Sequence, residues 1–509
     1  MKKDNLITFI KKSKIPIFII SFFILLSFGE RLFSNAYSID TEYYIANYIE
    51  NFNWWNSLGR WGLVLVNKLF LVGPLVIYHS NLLMILFILL GSILFNYLFY
   101  LYIDKKQEDT FLKYQYIFPI VFYTNPIFAE QFNFTSQALA VSLGIAMVAL
   151  ALILFHFSMK EKNKTKKILY NIVGIVITTI TFGIYQSIIL LYIATVAILY
   201  LLKCLNEKDN NFKFLLTNMI QFGICAIIYF AIGKLLGSGN SYLQTGYNLG
   251  ISKALNNIYL VIISTLKCET IYYNIGLPIA FILTAIIFVI LVKNRRINIG
   301  AILGGIGVVL APYYLMIITG VDQLKRTQFN YSFIVGFILL FFILIIMNSK
   351  RGKKIGYIIL ILGIIIAYKQ SVTTATLFAS DHVRFQHDIR VAEKIMNKLE
   401  AKDWYDSNKN YKIIFVGKYP VKENLLYQQG EVIGKSYFEF DYPYYYGPSQ
   451  RANQLLKTLG YEFLEPTKEE FESAKKYLKE NDIKSMPSQE SIIKWKEDTI
   501  VIRLSEKLD

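Results

Sequence analysis

The chain is poor in charge. Asp, Glu, Lys and Arg make up 17% of its 509 residues, against roughly 25% in an ordinary soluble chain. Hydrophobic residues make up 54%, and the mean hydropathy is +0.41. That much apolar side chain cannot be covered by so few polar groups, which excludes a string of soluble domains, a disordered chain and a coiled coil. Cysteine is scarce as well. Cys204, Cys225 and Cys268 form no CxxC pair and no metal-ligand spacing, so no disulfide framework is expected. No GxxxxGK[ST] run occurs, which argues against an ATP-driven pump. Acidic residues number 36 against 53 basic ones, a net charge of +17. No nucleic-acid recognition motif accompanies that excess, so it is read as cytoplasmic-loop charge, and no nucleic-acid partner is expected.

What is abundant is long apolar runs. A helix crosses the hydrocarbon with about 20 such residues. Eleven runs qualify, at 15–33, 77–103, 114–128, 135–157, 168–185, 187–203, 214–234, 272–292, 298–319, 331–348 and 355–375. The third is short and holds Pro119, which predicts a kink or a re-entrant segment. The first exceeds a signal-peptide core, and no small-residue cleavage site follows it, so it reads as a retained anchor. Lysine and arginine set the orientation. They crowd the N-terminus (Lys2, Lys3, Lys11, Lys12, Lys14) and alternate loops, such as the run Lys160 to Lys167 and the pair Arg295 and Arg296. The N-terminus is therefore expected in the cytoplasm and the C-terminus outside.

Two stretches read as large loops outside the membrane, 34–76 and the tail from 376. The tail reads as a small α/β domain, giving a transmembrane module over 1–375 and an extracytoplasmic domain over 376–509. Its predicted elements are helices at 389–402, 449–459 and 467–480, and strands at 411–417 and 499–504. Within it, the run Asp441 to Pro448 carries four tyrosines. Its rings suit either an acceptor glycan or the lipid interface.

The segment Tyr37 to Leu65 carries the most chemistry. Asp40 and Glu42 follow directly on the first span. Ile45, Tyr48, Ile49, Phe52 and Trp55 then recur at helical spacing, which predicts an amphipathic helix in the membrane interface. A carboxylate at that boundary can serve as base toward a hydroxyl arriving from outside. Asp40 could equally cap the interfacial helix, with Glu42 in its first turn.

The run SIDTEYY at 38–44, followed by GRWG at 59–62, resembles the type II O-antigen glucosyltransferases, bacterial polytopic enzymes of the GT-C fold. NPIFAEQF at 125–132, YQS at 185–187, RFQHD at 384–388 and IGKSYF at 433–438 add to the resemblance. The family often has a directly adjacent acidic pair; here Thr41 separates Asp40 from Glu42. The resemblance implies a polyprenyl monophosphate-linked sugar donor, transfer to a cell-surface glycan outside the cytoplasm, inversion at the anomeric carbon, and Asp40 as general base. Glucose is implied by the family name, with N-acetylglucosamine and galactose open. Such a donor calls for a companion synthase and flippase.

A departing phosphate needs cations nearby. The outer side offers Arg60, beside Trp61 in GRWG, Lys325 and Arg326 before the tenth span, and Arg384 at the start of the tail. Arg326 is expected to grip the donor phosphate, with Arg60 or Lys325 assisting; anchoring at headgroup level is the other reading. Glu130 and Gln131 could bond the sugar or orient Asp40, or be solvated loop groups. Tyr185 and Gln186 could bind sugar hydroxyls or merely close a hairpin. His382, His387, Asp381 and Asp388 have no fixed ligand spacing, so a divalent cation stays open as a cofactor. Two other functions fit the composition: a polysaccharide polymerase or ligase with a diphosphate-linked donor, and a non-catalytic transporter of lipid-linked sugar. A transporter would carry charges near the bilayer midplane and inverted repeats, and neither shows.

Overall fold

A computed structural model describes residues 5–71, 75–239, 250–294, 297–347, 350–422, 427–440 and 446–508. Lys2, Lys3, Arg295, Arg296 and residues 441–445 of the tyrosine-rich run lie outside that set. Among the described residues, nine helices are long and apolar enough to cross a membrane: Lys14–Phe33, Ile77–Tyr102, Thr135–Lys160, Lys164–Ile184, Ser187–Glu207, Phe212–Leu235, Gly276–Lys293, Ile299–Thr319 and Arg351–Glu400. The protein is a multi-pass membrane protein.

Two of the eleven expected spans take another form. Asn330–Ile346 is a shorter apolar helix. The third run is broken: a helix Ile117–Tyr123 stops, and a second, Pro126–Asn133, starts. Asn125 accepts a hydrogen bond from the Ile127 N–H at 3.0 Å, and Pro126 sits at the first helical position, where its missing N–H costs nothing. Every residue from Ile117 to Phe134 is buried. A break in the backbone is tolerated there because protein, not lipid, surrounds it.

Burial separates the central helices from the peripheral ones. The apolar window of Thr135–Lys160 is 78% buried, that of Phe212–Leu235 only 22%. The second exposes Ile227 and Phe230, an apolar face that belongs against lipid.

The helix Lys350–Glu400 runs for 51 residues without a break, about 75 Å at 1.5 Å per residue. The hydrocarbon takes up roughly 30 Å of that, so the helix continues into the tail. The helix expected at 389–402 is thus its last part, and no linker marks the division expected near 375. Beyond it lies a three-stranded sheet in the order β1-β3-β2, with β1 at Lys412–Val416, β2 at Ile492–Lys496 and β3 at Thr499–Arg503. β1 and β3 are parallel, pairing Ile413 with Ile500 and Phe415 with Ile502. β2, not expected from sequence, pairs antiparallel with β3. Helices Ser449–Thr458 and Lys468–Glu480 pack on the sheet close to their expected positions.

Candidate active site

The loop after the first helix is held from all sides by buried polar groups. Arg31 is 1% exposed. It donates to the Ala36 carbonyl at 2.8 Å, to the Asn133 carbonyl at 2.9 Å and to the Thr135 hydroxyl. From the long helix, Arg384 donates to the Tyr37 carbonyl at 2.8 Å, which also accepts from the Tyr437 hydroxyl at 2.9 Å. Ser38 ties the loop to the Asn133 carbonyl at 2.6 Å.

This clamp delivers Asp40 in the left-handed region, with φ 71° and ψ −21°. Outside glycine, only Asn and Asp visit that region readily. Asp40 stands at the start of the helix Thr41–Ala46 but makes no side-chain capping bond to it. Its carboxylate turns instead toward Arg451, whose Nη1 lies 2.7 Å from Asp40 Oδ1 and 2.9 Å from Glu42 Oε1. Asp40 keeps a half-open side chain, 43% exposed, while Glu42 is fully buried. Burial pushes the Glu42 carboxyl up to about 7; the Arg451 charge opposes that and the Asp40 charge adds to it. Its Oε2 has no hydrogen-bond partner.

The single interfacial helix expected here is two helices, Thr41–Ala46 and Tyr48–Ser57, that break at Asn47. The apolar stripe divides accordingly. Trp55 is buried and stacks on Tyr44 at 5.5 Å, whereas Tyr48, Ile49 and Trp54 remain exposed.

GRWG owes its pattern to two close approaches. Gly59 adopts φ +73° beneath the Tyr229 hydroxyl, and a side chain on Gly62 would collide with the Ile180 carbonyl of the helix Lys164–Ile184. The turn sets Arg60 over the Tyr185 ring at 4.7 Å, with its Nε donating to Gln186 Oε1 at 3.3 Å. Gln186 in turn donates to the Leu58 carbonyl at 2.7 Å. Trp61 stacks on Tyr229 at 6.5 Å, and its buried indole N–H has no partner. Arg60, Trp61, Tyr185 and Gln186 thus form one group, although 124 residues (185 − 61) separate Trp61 from Tyr185 in sequence.

Arg326 lies over the Phe134 ring at 5.0 Å, with Glu431 at 3.7 Å. The helix Pro126–Asn133 packs against the turn Lys325–Thr327, and its Asn133 carbonyl holds Ser38, which brings Arg326 to the side of the Asp40 loop. Lys325 pairs with Asp322 at 3.0 Å and rests over Tyr273 at 5.2 Å.

Two expected substrate contacts have other neighbours. Arg384 is fully buried between Asp381 at 2.8 Å and Asp388 at 3.3 Å. Its charge is matched internally, which makes it a strut for the loop rather than an open phosphate ligand. Glu130 is not a solvated loop residue. It is fully buried, and it accepts from the Tyr272 hydroxyl at 2.5 Å and from the Glu431, Val432 and Ile433 N–H groups at 2.6, 3.0 and 3.3 Å. Burial pushes its carboxyl up, and those donors pull it back. Glu130 pins the tail segment 431–433, where IGKSYF begins, to the membrane module.

Gln131, beside it, is 1% exposed, and neither end of its amide has a partner. The Asn133 amide and the Ser136 hydroxyl are buried and unpartnered in the same way. Buried polar groups normally find partners. Three unpartnered ones, on the segment that backs the Asp40 loop, leave hydrogen-bonding capacity for a polar ligand. Sequence reasoning reached Gln131 but missed Asn133, Ser136 and Arg451.

Asp381 and Asp388 are committed to arginine, the His382 ring bonds Ser34 at 2.9 Å, and His387 stacks on Tyr419. Among the described residues, no three His, Cys, Asp or Glu side chains come together as a metal site. The three cysteines are free.

A family model described as Glucosyl transferase GtrII matches residues 29–345, more than half of the chain. The matched stretch includes Asp40, GRWG, Glu130 and Arg326 but ends well before Arg451. No curated protein and no solved structure matches the chain.

Proposed function

We propose, from the premise that this chain belongs to the glucosyl transferase GtrII family, that it moves one sugar, glucose first, from a polyprenyl monophosphate to a hydroxyl of a cell-surface glycan. The family makes it a glycosyltransferase; donor, acceptor and mechanism are our reading. The observation that carries this reading is the Asp40 carboxylate. It is half-open, relieved of capping, and fixed by Arg451 with Oδ1 occupied. In the proposed complex its second oxygen, Oδ2, takes the acceptor hydroxyl.

In the proposed step the acceptor oxygen attacks the anomeric carbon as Asp40 takes its proton. The bond from that carbon to the phosphate oxygen breaks on the opposite face, and the polyprenyl phosphate leaves with the electron pair. Arg326 neutralises the phosphate, assisted by Lys325 and by Arg60. The amides of Gln131 and Gln186, with Tyr185 and Trp61, meet sugar hydroxyls and the sugar face. The donor arrives through the bilayer, which suits a chain with exposed apolar helices and no nucleotide motif. Attack opposite the leaving group inverts the anomeric centre, so proton NMR of the product should show the configuration opposite to the donor's. Retained configuration would contradict direct transfer with Asp40 as base.

Two further outcomes follow from the same geometry. Arg326→Ala should raise the donor KM by about tenfold to a hundredfold, the worth of a charge-assisted hydrogen bond, with acceptor KM unchanged. Unchanged donor KM would remove Arg326 from the phosphate site. The second outcome concerns pH. Glu42 is charged above about 7 and takes a proton below it. Once Glu42 is neutral, the negative charge it sets beside Arg451 and Asp40 is gone. The transfer rate should therefore fall as pH drops through about 7, and Glu42→Gln should abolish that limb. A limb that survives in Glu42→Gln would assign it to another group.

A further inference from the structure

A cavity of about 510 Å³ opens at the far end of the helix bundle from Asp40. The helices Ile77–Tyr102 and Thr135–Lys160 both start beside the Asp40 loop, where Ser80 donates to the Thr135 carbonyl at 2.8 Å. Each runs 26 residues, about 39 Å at 1.5 Å per residue. Their far ends form one wall, and the ends of Lys164–Ile184, Ser187–Glu207 and Phe212–Leu235 form the others. Its size falls within the range of about 300–1,000 Å³ usual for small-molecule sites.

The lining is strongly one-signed. Lys160, Lys167, Lys203 and Lys213 face a single carboxylate, Glu207. Lys203 already holds Glu207 at 2.5 Å. Among the described residues, Lys167 and Lys213 make no ion pair. Lys167 and Lys213 thus bring to the cavity positive charge that no ion pair among the described residues matches.

Gln221 supplies an independent sign of a ligand. It is 6% exposed and lines the cavity. Its Nε2 donates to Asn171 at 3.0 Å, but its buried Oε1 has no partner. An acceptor without a donor beside a surplus of lysines asks for a ligand with both a negative charge and a hydroxyl. The flanking helix faces expose Leu169, Ile172, Leu216 and Ile220, apolar surface on which acyl chains could lie.

We infer that this cavity binds a phosphate ester bearing a hydroxyl group, of the glycerol phosphate class, with the lysines holding the phosphate and Gln221 Oε1 accepting from the hydroxyl. The source is an anionic membrane lipid headgroup or a soluble glycerol phosphate. Basic pockets between membrane helices recognise anionic headgroups in this way. The site is separate from the sugar-transfer site and does not rest on it.

The test uses the full-length protein in neutral detergent, read by native mass spectrometry and thermal unfolding. The probes are short-chain phosphatidylglycerol, short-chain phosphatidylcholine and glycerol 3-phosphate. Phosphatidylglycerol should be retained and raise Tm, and phosphatidylcholine should do neither. The double variant Lys167→Gln, Lys213→Gln should weaken phosphatidylglycerol binding at least about tenfold, with sugar transfer unchanged. Gln221→Leu, at a second wall, should weaken it severalfold. Equal response to glycerol 3-phosphate would identify a soluble ligand, and response to phosphatidylglycerol alone a lipid. Equal binding of phosphatidylcholine, no binding of either phosphate ester, or unchanged affinity in the double-lysine variant would overturn the assignment.

Discussion

Asp40→Asn should lower kcat for sugar transfer by about 10²–10⁴-fold, the usual contribution of a general base, while the protein still inserts and folds. Asparagine is the informative replacement. It preserves the size of the side chain and tolerates the left-handed backbone at φ 71°, so the clamp formed by Arg31, Arg384 and Tyr437 is undisturbed. It also still offers an oxygen to Arg451. What it loses is the ability to accept a proton from the acceptor hydroxyl. The side chain makes no capping bond, so little helix stability is at stake. The check is a steady-state assay beside an unfolding curve. Near-normal kcat would remove Asp40 from the chemistry. Loss of activity together with loss of fold would make it structural.

Arg384→Met should destabilise the protein by about 3–5 kcal/mol, the cost of breaking a buried ion pair from one side. Asp388 would lose its guanidinium partner at 3.3 Å, and the Tyr37 carbonyl would lose a donor. Asp381 would retain Arg31 at 3.7 Å and the Gly434 N–H at 3.3 Å. Pairing Arg384→Met with Asp388→Asn should recover part of the loss, because the uncompensated charge is then removed as well. Thermal unfolding of the three variants in detergent measures this. Normal stability with a raised donor KM would return Arg384 to the donor site, where its position in sequence first placed it.

That reversal shows what a sequence can and cannot carry. Arg384 is readable as a cation on the outer side, but not as one already paired, because Asp381 and Asp388 match its charge only once the helix buries all three. The partners of Glu130 are equally hidden from the sequence. Its three N–H donors lie 301 to 303 residues away, and no local pattern announces them. The local features were legible. Asn125-Pro126 is a capping pair that breaks a helix, β1 and β3 are short apolar runs, and Asp40 follows directly on an apolar span. β2 was missed because its alternate positions Lys494 and Lys496 give it the look of a polar loop. Arg451 could not have been found. It reaches Asp40 from a tail helix 411 positions on (451 − 40), beyond the residues that the family pattern covers.

The measurement that bears most directly on the central claim is donor consumption by the purified protein. Polyprenyl monophosphate glucose, polyprenyl monophosphate N-acetylglucosamine, a polyprenyl diphosphate-linked sugar and a nucleotide sugar would be supplied separately with glycan acceptor, with wild type beside Asp40→Asn. The account predicts that a monophosphate donor, glucose first, is consumed with release of polyprenyl phosphate, and that Asp40→Asn abolishes this. Consumption of only the diphosphate or nucleotide donor, or equal turnover by Asp40→Asn, would contradict it.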